Sequence, residues 1–169
     1  MKKLFGSLVT VFIVIFMVSM NSCDEDGVLV LPSMKATVDG SQWTSLFRAT
    51  IVDQTAGSES IIITGTPTVS ETADKTIVIT VNGIAARTYK LSVAEGRTEC
   101  LIAYKKTANA ADGSDDYYVS LDATVTITKI DFEKKQVSGS FSATLYPNGN
   151  ILQTKMEIRS GTFENLNFQ

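Results

Sequence analysis

The sequence has 169 residues, about the size of one domain. Its formal net charge is −3 and no run of lysine or arginine is longer than two, so it lacks the basic surface that nucleic-acid binding requires. The chain contains no histidine, which excludes histidine-based catalytic triads, histidine zinc sites and imidazole acid–base catalysis. These exclusions favour a binding protein over an enzyme, and no cofactor is expected.

Residues 1–22 have the organisation of an export signal. Lys2 and Lys3 precede an apolar stretch from Leu4 to Met20, and Ser22 directly precedes Cys23. A basic start, an apolar middle and a small residue before the cleavage point are the three parts of a signal peptide. The apolar stretch also reaches the lower limit of about 17 residues for a membrane-spanning helix, so an uncleaved anchor is the alternative.

Cys23 is predicted to carry lipid. A cysteine directly after the apolar run resembles a bacterial lipoprotein signal, in which the cysteine receives acyl chains and becomes the first residue of the mature protein. Each buried CH₂ contributes about 0.8 kcal/mol, so several acyl chains anchor a protein to a membrane without spanning it. Residues 23–33 are therefore predicted to be a lipidated acidic linker.

The acidic triplet Asp24-Glu25-Asp26 follows the cysteine directly. It looks like the signal that takes Bacteroidota lipoproteins to the outer face of the outer membrane. The alternative is a solvated acidic linker. We expect the protein to be lipid-anchored at the outer membrane, on the cell surface or on the periplasmic face.

From residue 34 onward, short runs of alternating apolar and polar residues are broken at regular spacing by Gly, Asn, Asp or Pro. Turn signals every 8 to 12 residues, roughly, are typical of an antiparallel β-sandwich or barrel. Residues 34–169 are therefore predicted to form a single all-β domain of about nine or ten strands, with little helix. The first turn is assigned to Asp39-Gly40, a pair that favours a tight hairpin.

The clearest predicted hairpin joins residues 123–132 to residues 137–145. Val125 and Ile127 are apolar at odd positions, whereas Ile130 and Phe132 are apolar at even ones. A β-bulge near Thr128-Lys129 would correct this change of parity. Small residues on the return arm, such as Gly139, permit either close packing or an internal cavity.

Four segments carry a resemblance to a known family. They are ATVDGSQW at residues 36–43, VTITKID at 125–131, VSGSFS at 137–142 and SGTF at 160–163. In these motifs the chain resembles a family of uncharacterised Bacteroidota lipoproteins over about residues 34–163. The resemblance implies an all-β fold and a location at the cell envelope, and it implies no activity.

Three aromatic residues are candidate ligand-binding residues. Trp43, Tyr117 and Tyr118 are predicted to contribute to an aromatic platform for a sugar, since such rings combine a large apolar face with a polar edge. The alternative for Trp43 is a place in the core. Of two adjacent tyrosines on a strand, one must point inward and the other outward.

A polar stretch from Lys105 to Asp116 is the best candidate for a long loop, and it holds a candidate metal site. Asp112, Asp115 and Asp116 supply the oxygen ligands that Ca²⁺ prefers, although their spacing is not that of an EF-hand. The alternative is a solvated acidic loop. Cys100, the second cysteine, is interpreted as a small buried hydrophobic residue.

The sequence thus favours a membrane-anchored lipoprotein whose non-enzymatic β-domain binds a protein or a glycan. A lipocalin-like carrier is one alternative and requires an apolar cavity inside a closed barrel. A carboxylate-based glycoside hydrolase is the other. It requires two acidic residues, for example Asp116 and Asp122, to converge in a groove beside Tyr117 or Trp43.

Overall fold

The computed structural model describes residues 31–68, 74–106 and 117–169. This part of the chain contains eleven β-strands and no helix, which confirms the all-β prediction. In chain order the strands are β1 (Ser33–Val38), β2 (Ser41–Thr44), β3 (Phe47–Asp53), β4 (Ser60–Thr66), β5 (Thr76–Val81), β6 (Thr88–Ser92), β7 (Arg97–Thr98), β8 (Cys100–Lys105), β9 (Tyr117–Asp131), β10 (Gln136–Pro147) and β11 (Met156–Asn167). The predicted signal helix in residues 1–22, and linker residues 23–30, lie outside the described residues.

Nine of the strands form one antiparallel sheet that curls into a half-barrel. Their order is β2-β1-β11-β10-β9-β8-β5-β4-β3, so the two edge strands are consecutive in the chain. The link between them hydrogen-bonds to both ends of the sheet. The Ser45 N–H donates to the Met34 carbonyl and the Leu46 N–H donates to the Thr66 carbonyl, each over 2.9 Å.

The remaining two strands extend the sheet beside β9. The first residues of β9 pair with β8, whereas its residues 122–126 pair with β6. The short strand β7 pairs with β6. The 15-residue strand β9 therefore holds two neighbours along one side, and it pairs with β10 along the other.

The core lies on the concave side of the curled sheet. In β5, Ile77, Ile79 and Val81 are completely buried and alternate with half-buried residues. In β4, Ile61 and Ile63 are also completely buried. Burial of each such side chain contributes about 1.5 to 3 kcal/mol, so these two strands supply a large part of the hydrophobic stabilisation.

The β9–β10 hairpin contains the predicted bulge. Lys129 pairs with Ser138 and Ile127 pairs with Gly139, which leaves Thr128 as an extra residue on β9. The extra residue lets Ile127 and Ile130 both direct their side chains toward the core, although one has an odd and the other an even number. Ile127 is buried, and Ile130 is half-buried and packs against the core. Phe132, the other apolar residue at an even position, is 42% exposed and contacts the Phe168 ring edge-on.

Glycines in β10 and β11 allow aromatic rings to pack directly against the backbone. A Cβ atom placed on Gly139 would lie 2.5 Å from the Phe163 ring, and one on Gly161 would lie 2.7 Å from the Phe141 ring. The two rings stack with centroids 6.3 Å apart. The small residue at position 139 therefore serves close packing, and a ring fills the space beside it.

Candidate functional site

A groove of about 470 Å³ opens at one end of the half-barrel. It lies where the β1–β2 turn, the start of β5, the end of β8, the start of β9 and the residues before β11 meet. Val38 and Met156, both buried, contribute apolar surface to it. The side chains that carry its chemistry are Asp39, Trp43, Lys75, Tyr104, Lys106, Tyr118 and Lys155, and we refer to it as the end groove.

Trp43 contributes an edge to the end groove and most of its surface to the core. It is only 5% exposed. Its indole Nε1 donates a hydrogen bond of 2.7 Å to the Lys75 carbonyl, which satisfies the one polar atom of the buried ring. This bond fixes the residue before β5 against β2. Trp43 is therefore a core residue with one edge at the groove, and its role in ligand binding stays a prediction.

Two tyrosines from neighbouring strands complete the aromatic surface. Tyr104 in β8 and Tyr118 in β9 are directly paired across the two strands. Burial raises the pKa of Tyr104 to about 12, and the carboxylates of Asp39 and Asp74 add to this effect. Tyr104 therefore keeps its hydroxyl proton at physiological pH and remains a hydrogen-bond donor.

The turn between β1 and β2 places a carboxylate at the groove. Asp39 and Gly40 have φ values of 46° and 77°, as the predicted tight hairpin turn requires. The Asp39 N–H donates to the Glu157 carbonyl, and the Glu157 N–H donates to Asp39 Oδ1, each over 2.9 Å. The carboxylate of Asp39 is therefore held in place by the backbone of β11.

Three lysines surround the aromatic surface. The ammonium group of Lys106 lies 6.0 Å from the centre of the Tyr118 ring, within the range of a cation–π interaction. Lys75, the residue before β5, is a backbone neighbour of Lys106. Lys155, from the segment before β11, completes the set and contacts Glu157 Oε1 at 2.9 Å. The end groove thus combines aromatic, cationic and carboxylate groups.

The structure brings together two of the three predicted aromatic residues. Trp43 and Tyr118 line the end groove, whereas Tyr117 does not. Tyr117 is 43% exposed, and the Lys105 ammonium lies 5.7 Å from the centre of its ring. The adjacent tyrosines therefore point to opposite sides of β9, as their positions on a strand require.

Comparison with known proteins places the domain in a family. Residues 31–167 match the family described as Domain of unknown function (DUF6252). The chain belongs to this family. The match covers all eleven strands of the DUF6252 domain and the whole of the end groove. No curated protein and no solved structure gives a significant match.

Two smaller clefts of the DUF6252 domain contain pairs of acidic residues. One is lined by Asp39 and Glu157, and the other by Asp122 and Glu157. Lys155 and Arg159 both form salt bridges with Glu157, and their hydrogen bonds lower its pKa below the usual value. A glycosidase general acid needs a raised pKa, so Glu157 does not suit that role. The predicted pair of Asp116 and Asp122 stays a prediction, because Asp116 lies outside the described residues.

Cys100 is a core residue, as predicted. It is 3% exposed, and its Sγ lies 3.6 Å from the Tyr89 carbonyl. Burial, followed by the charge of Glu99, raises the pKa of its thiol to about 11. Cys100 is therefore a neutral thiol at physiological pH and lacks the thiolate that a nucleophile needs.

The remaining predicted site residues, Cys23, Asp112, Asp115 and Asp116, lie outside the described residues. The predictions of lipidation and of calcium binding therefore stay predictions. Within residues 31–68, 74–106 and 117–169, no group of three acidic or cysteine side chains is placed to hold a metal ion. The same three segments contain no helix of the length and apolarity needed to cross a bilayer.

Sequence reasoning did not find the charged residues of the end groove or Tyr104. Lys75, Lys106 and Lys155 come from three different connections. The pairing of β5 with β8 brings Lys75 and Lys106 together, and the curl of the sheet adds Lys155. Asp39 was identified as a turn residue alone. One local signal was available, the Lys105-Lys106 pair at the end of a predicted strand. Side chains alternate along a strand, so one of two adjacent lysines must lie on the same side as Tyr104.

Proposed function

We propose that this protein is a membrane-anchored lipoprotein whose non-enzymatic DUF6252 domain binds a glycan through the end groove. The groove is the observation that carries the proposal. Its volume of about 470 Å³ lies in the range of about 300 to 1,000 Å³ that is usual for ligand pockets. A protein partner is the alternative.

The side chains of the end groove suit a sugar. The Trp43 and Tyr118 rings offer apolar surface to the C–H groups of a sugar ring. Around them, the Tyr104 hydroxyl donates hydrogen bonds and the Asp39 carboxylate accepts them. Sugar hydroxyls both donate and accept, so this combination of groups matches the chemistry of a glycan.

The carrier alternative receives less support from the core. A lipocalin-like carrier needs an apolar cavity inside its barrel. In the described part of the chain, the concave side of the sheet is filled by isoleucine, valine and phenylalanine side chains, and Phe163 packs directly on Gly139. The end groove lies at the end of the half-barrel and is lined by charged residues.

Membrane anchoring is proposed from the N-terminal sequence. The apolar stretch from Leu4 to Met20, followed by Ser22-Cys23, supports cleavage before Cys23 and its acylation. The location that this implies is the outer membrane, at the cell surface or on the periplasmic face. The acidic residues Asp24, Glu25 and Asp26 support the cell surface.

Metabolic labelling with an alkyne fatty acid tests the anchor. The wild-type chain and the Cys100→Ser variant should incorporate the label and sediment with membranes, whereas Cys23→Ser should do neither. Cys100→Ser is the matched control because it removes the other cysteine of the chain. Label on the Cys23→Ser variant would contradict the proposal. Protease treatment of intact cells then tests location, since a surface-exposed domain is cleaved without opening the outer membrane.

A binding measurement on a panel of polysaccharides tests the groove. Tyr118→Ala should weaken the binding of a glycan ligand, whereas Tyr117→Ala should not, because only Tyr118 lines the end groove. A thermal melt of each variant establishes that it is folded. If no polysaccharide binds, the glycan proposal is wrong and a protein partner is favoured. If both tyrosine variants bind equally well, the groove is not the site.

A further inference from the structure

Two lysines of the end groove face each other across neighbouring strands. β5 and β8 pair in a register that ends with Thr76 opposite Lys105, and Lys75 and Lys106 continue it by one pair. The Lys75 N–H donates to the Lys106 carbonyl over 3.4 Å. The two lysines are therefore backbone neighbours just outside the ends of β5 and β8, and both are exposed.

Two carboxylates lie near this pair: that of Asp39, which lines the groove, and that of Asp74, which also acts on Tyr104. In the described part of the chain, neither the Lys75 nor the Lys106 ammonium group forms a salt bridge. Lys155, the third lysine of the groove, does bind a carboxylate, that of Glu157. Among the described residues, Lys75 and Lys106 are therefore the two lysines of the groove that form no salt bridge.

The described side chains that line the end groove are more basic than the chain as a whole. Three lysines and one aspartate line the end groove, whereas the chain after residue 22 contains 13 basic and 18 acidic residues. A solvated surface of this protein would be expected to be acidic on average. The lysines among these lining residues favour an anionic ligand.

We infer that the end groove binds a negatively charged sugar chain, whose carboxylate or sulfate groups lie between Lys75 and Lys106. Two ammonium groups donate charge-assisted hydrogen bonds to such an anion. The Tyr104 hydroxyl is a neutral donor beside them, and the Asp39 carboxylate accepts from a sugar hydroxyl. This inference rests on the proposed glycan-binding function and specifies its ligand class.

Calorimetric titration of the full-length chain in detergent micelles tests the inference with two matched pairs of probes. The first pair is polygalacturonate and fully methyl-esterified polygalacturonate, which differ only in the charge of the carboxylates. The second pair is a sulfated carrageenan and its desulfated form. The charged member of at least one pair should bind more tightly than its neutral counterpart. Its affinity should fall as the salt concentration rises, because salt screens exposed charges.

Two double variants assign the binding to the groove. K75Q/K106Q removes the facing lysines, and K134Q/K135Q removes two adjacent lysines from the β9–β10 turn. The variants are well matched because Lys75 and Lys135 both have positive φ, 58° and 52°. K75Q/K106Q should weaken binding of the charged probe about tenfold, through loss of two ionic contacts, and K134Q/K135Q should not weaken it.

The outcomes separate this inference from the proposed function. Binding of polygalacturonate alone, or of carrageenan alone, with dependence on Lys75 and Lys106 supports the inference and identifies the anionic group. Equal affinity for charged and neutral probes, still reduced by Tyr118→Ala, overturns the inference and leaves the proposed function intact. Equal losses in the two double variants also overturn it. No binding of any of these four probes overturns the inference, and no binding of any polysaccharide in the wider panel overturns the proposed function as well.

Discussion

Thr50 gives the sharpest test of the packing described above. It lies on the edge strand β3, is 5% exposed, and its hydroxyl has no hydrogen-bond partner in the described part of the chain. A buried hydroxyl without a partner costs about 1 to 3 kcal/mol on the scale of protein mutations. Valine has the same shape and a high β-propensity. Thr50→Val should therefore raise the free energy of unfolding by about 1 kcal/mol.

Thr66 provides the matched control for the same substitution. It is 6% exposed, and its hydroxyl both donates to the Thr68 carbonyl and accepts from the Thr68 N–H, each over 3.3 Å. Thr66→Val removes these bonds and leaves their backbone partners less well satisfied. It should lower the free energy of unfolding by about 0.5 to 1.5 kcal/mol.

Urea unfolding followed by circular dichroism measures both variants. The midpoint should move to higher urea for Thr50→Val and to lower urea for Thr66→Val, with an unchanged slope. The thermal midpoint should rise by about 4 °C in Thr50→Val, since a change of 1 kcal/mol has roughly this effect in a domain of this size. If Thr50→Val destabilises the protein as much as Thr66→Val, the Thr50 hydroxyl has a partner and the reasoning is refuted.

Three further predictions follow from other features. Gly139→Ala should destabilise the domain by about 1 to 3 kcal/mol, because a Cβ atom there meets the Phe163 ring and the Thr126 carbonyl. The control in the same urea assay is Ser140→Ala, because Ser140 is exposed. Cys100 should react with a thiol reagent at pH 8 much more slowly in the folded protein than in urea, because burial raises the pKa of its thiol to about 11, and equal rates would show that the thiol is accessible. Glu157 has a folded-state pKa below the value of 4.5 expected for the unfolded chain, so its stabilising effect is complete above about pH 4.5 and is lost as the pH falls through the folded-state pKa. Glu157→Gln should therefore reduce the pH dependence of stability in that acidic range, and a curve that matches the wild type would contradict this.

Local sequence signals predicted the fold well because each of them acts over a few residues. The Asp39-Gly40 turn requires two positive φ values, and the structure has them. The change of parity between Ile127 and Ile130 required a bulge, and Thr128 is the extra residue. What the pattern left open was the curvature of the sheet. Alternation along a strand shows that one face is buried, but it does not show what that face packs against.

The candidate site was only partly predictable for the same reason. Trp43 and Tyr118 could be predicted as candidate ligand-binding residues because aromatic side chains are visible in the sequence. Lys75 and Lys106 are 31 positions apart, and their opposition depends on the register of β5 and β8. Alternation also showed that one of Tyr117 and Tyr118 faces inward, but the choice between them depends on register with β8, where Tyr104 pairs with Tyr118.

The position of β1 in the sheet has a consequence for the order of folding. β1 lies between β2 and β11, and its first residue pairs with Glu164. During synthesis β1 leaves the ribosome more than a hundred residues before its partner, a delay of roughly 6 to 25 s at ordinary rates of translation. The half-barrel therefore cannot assemble until the chain is almost finished. Until β11 is made, β1 has only the short strand β2 to pair with, so the β1–β2 hairpin must wait for the last strand of the sheet before it can join the other strands.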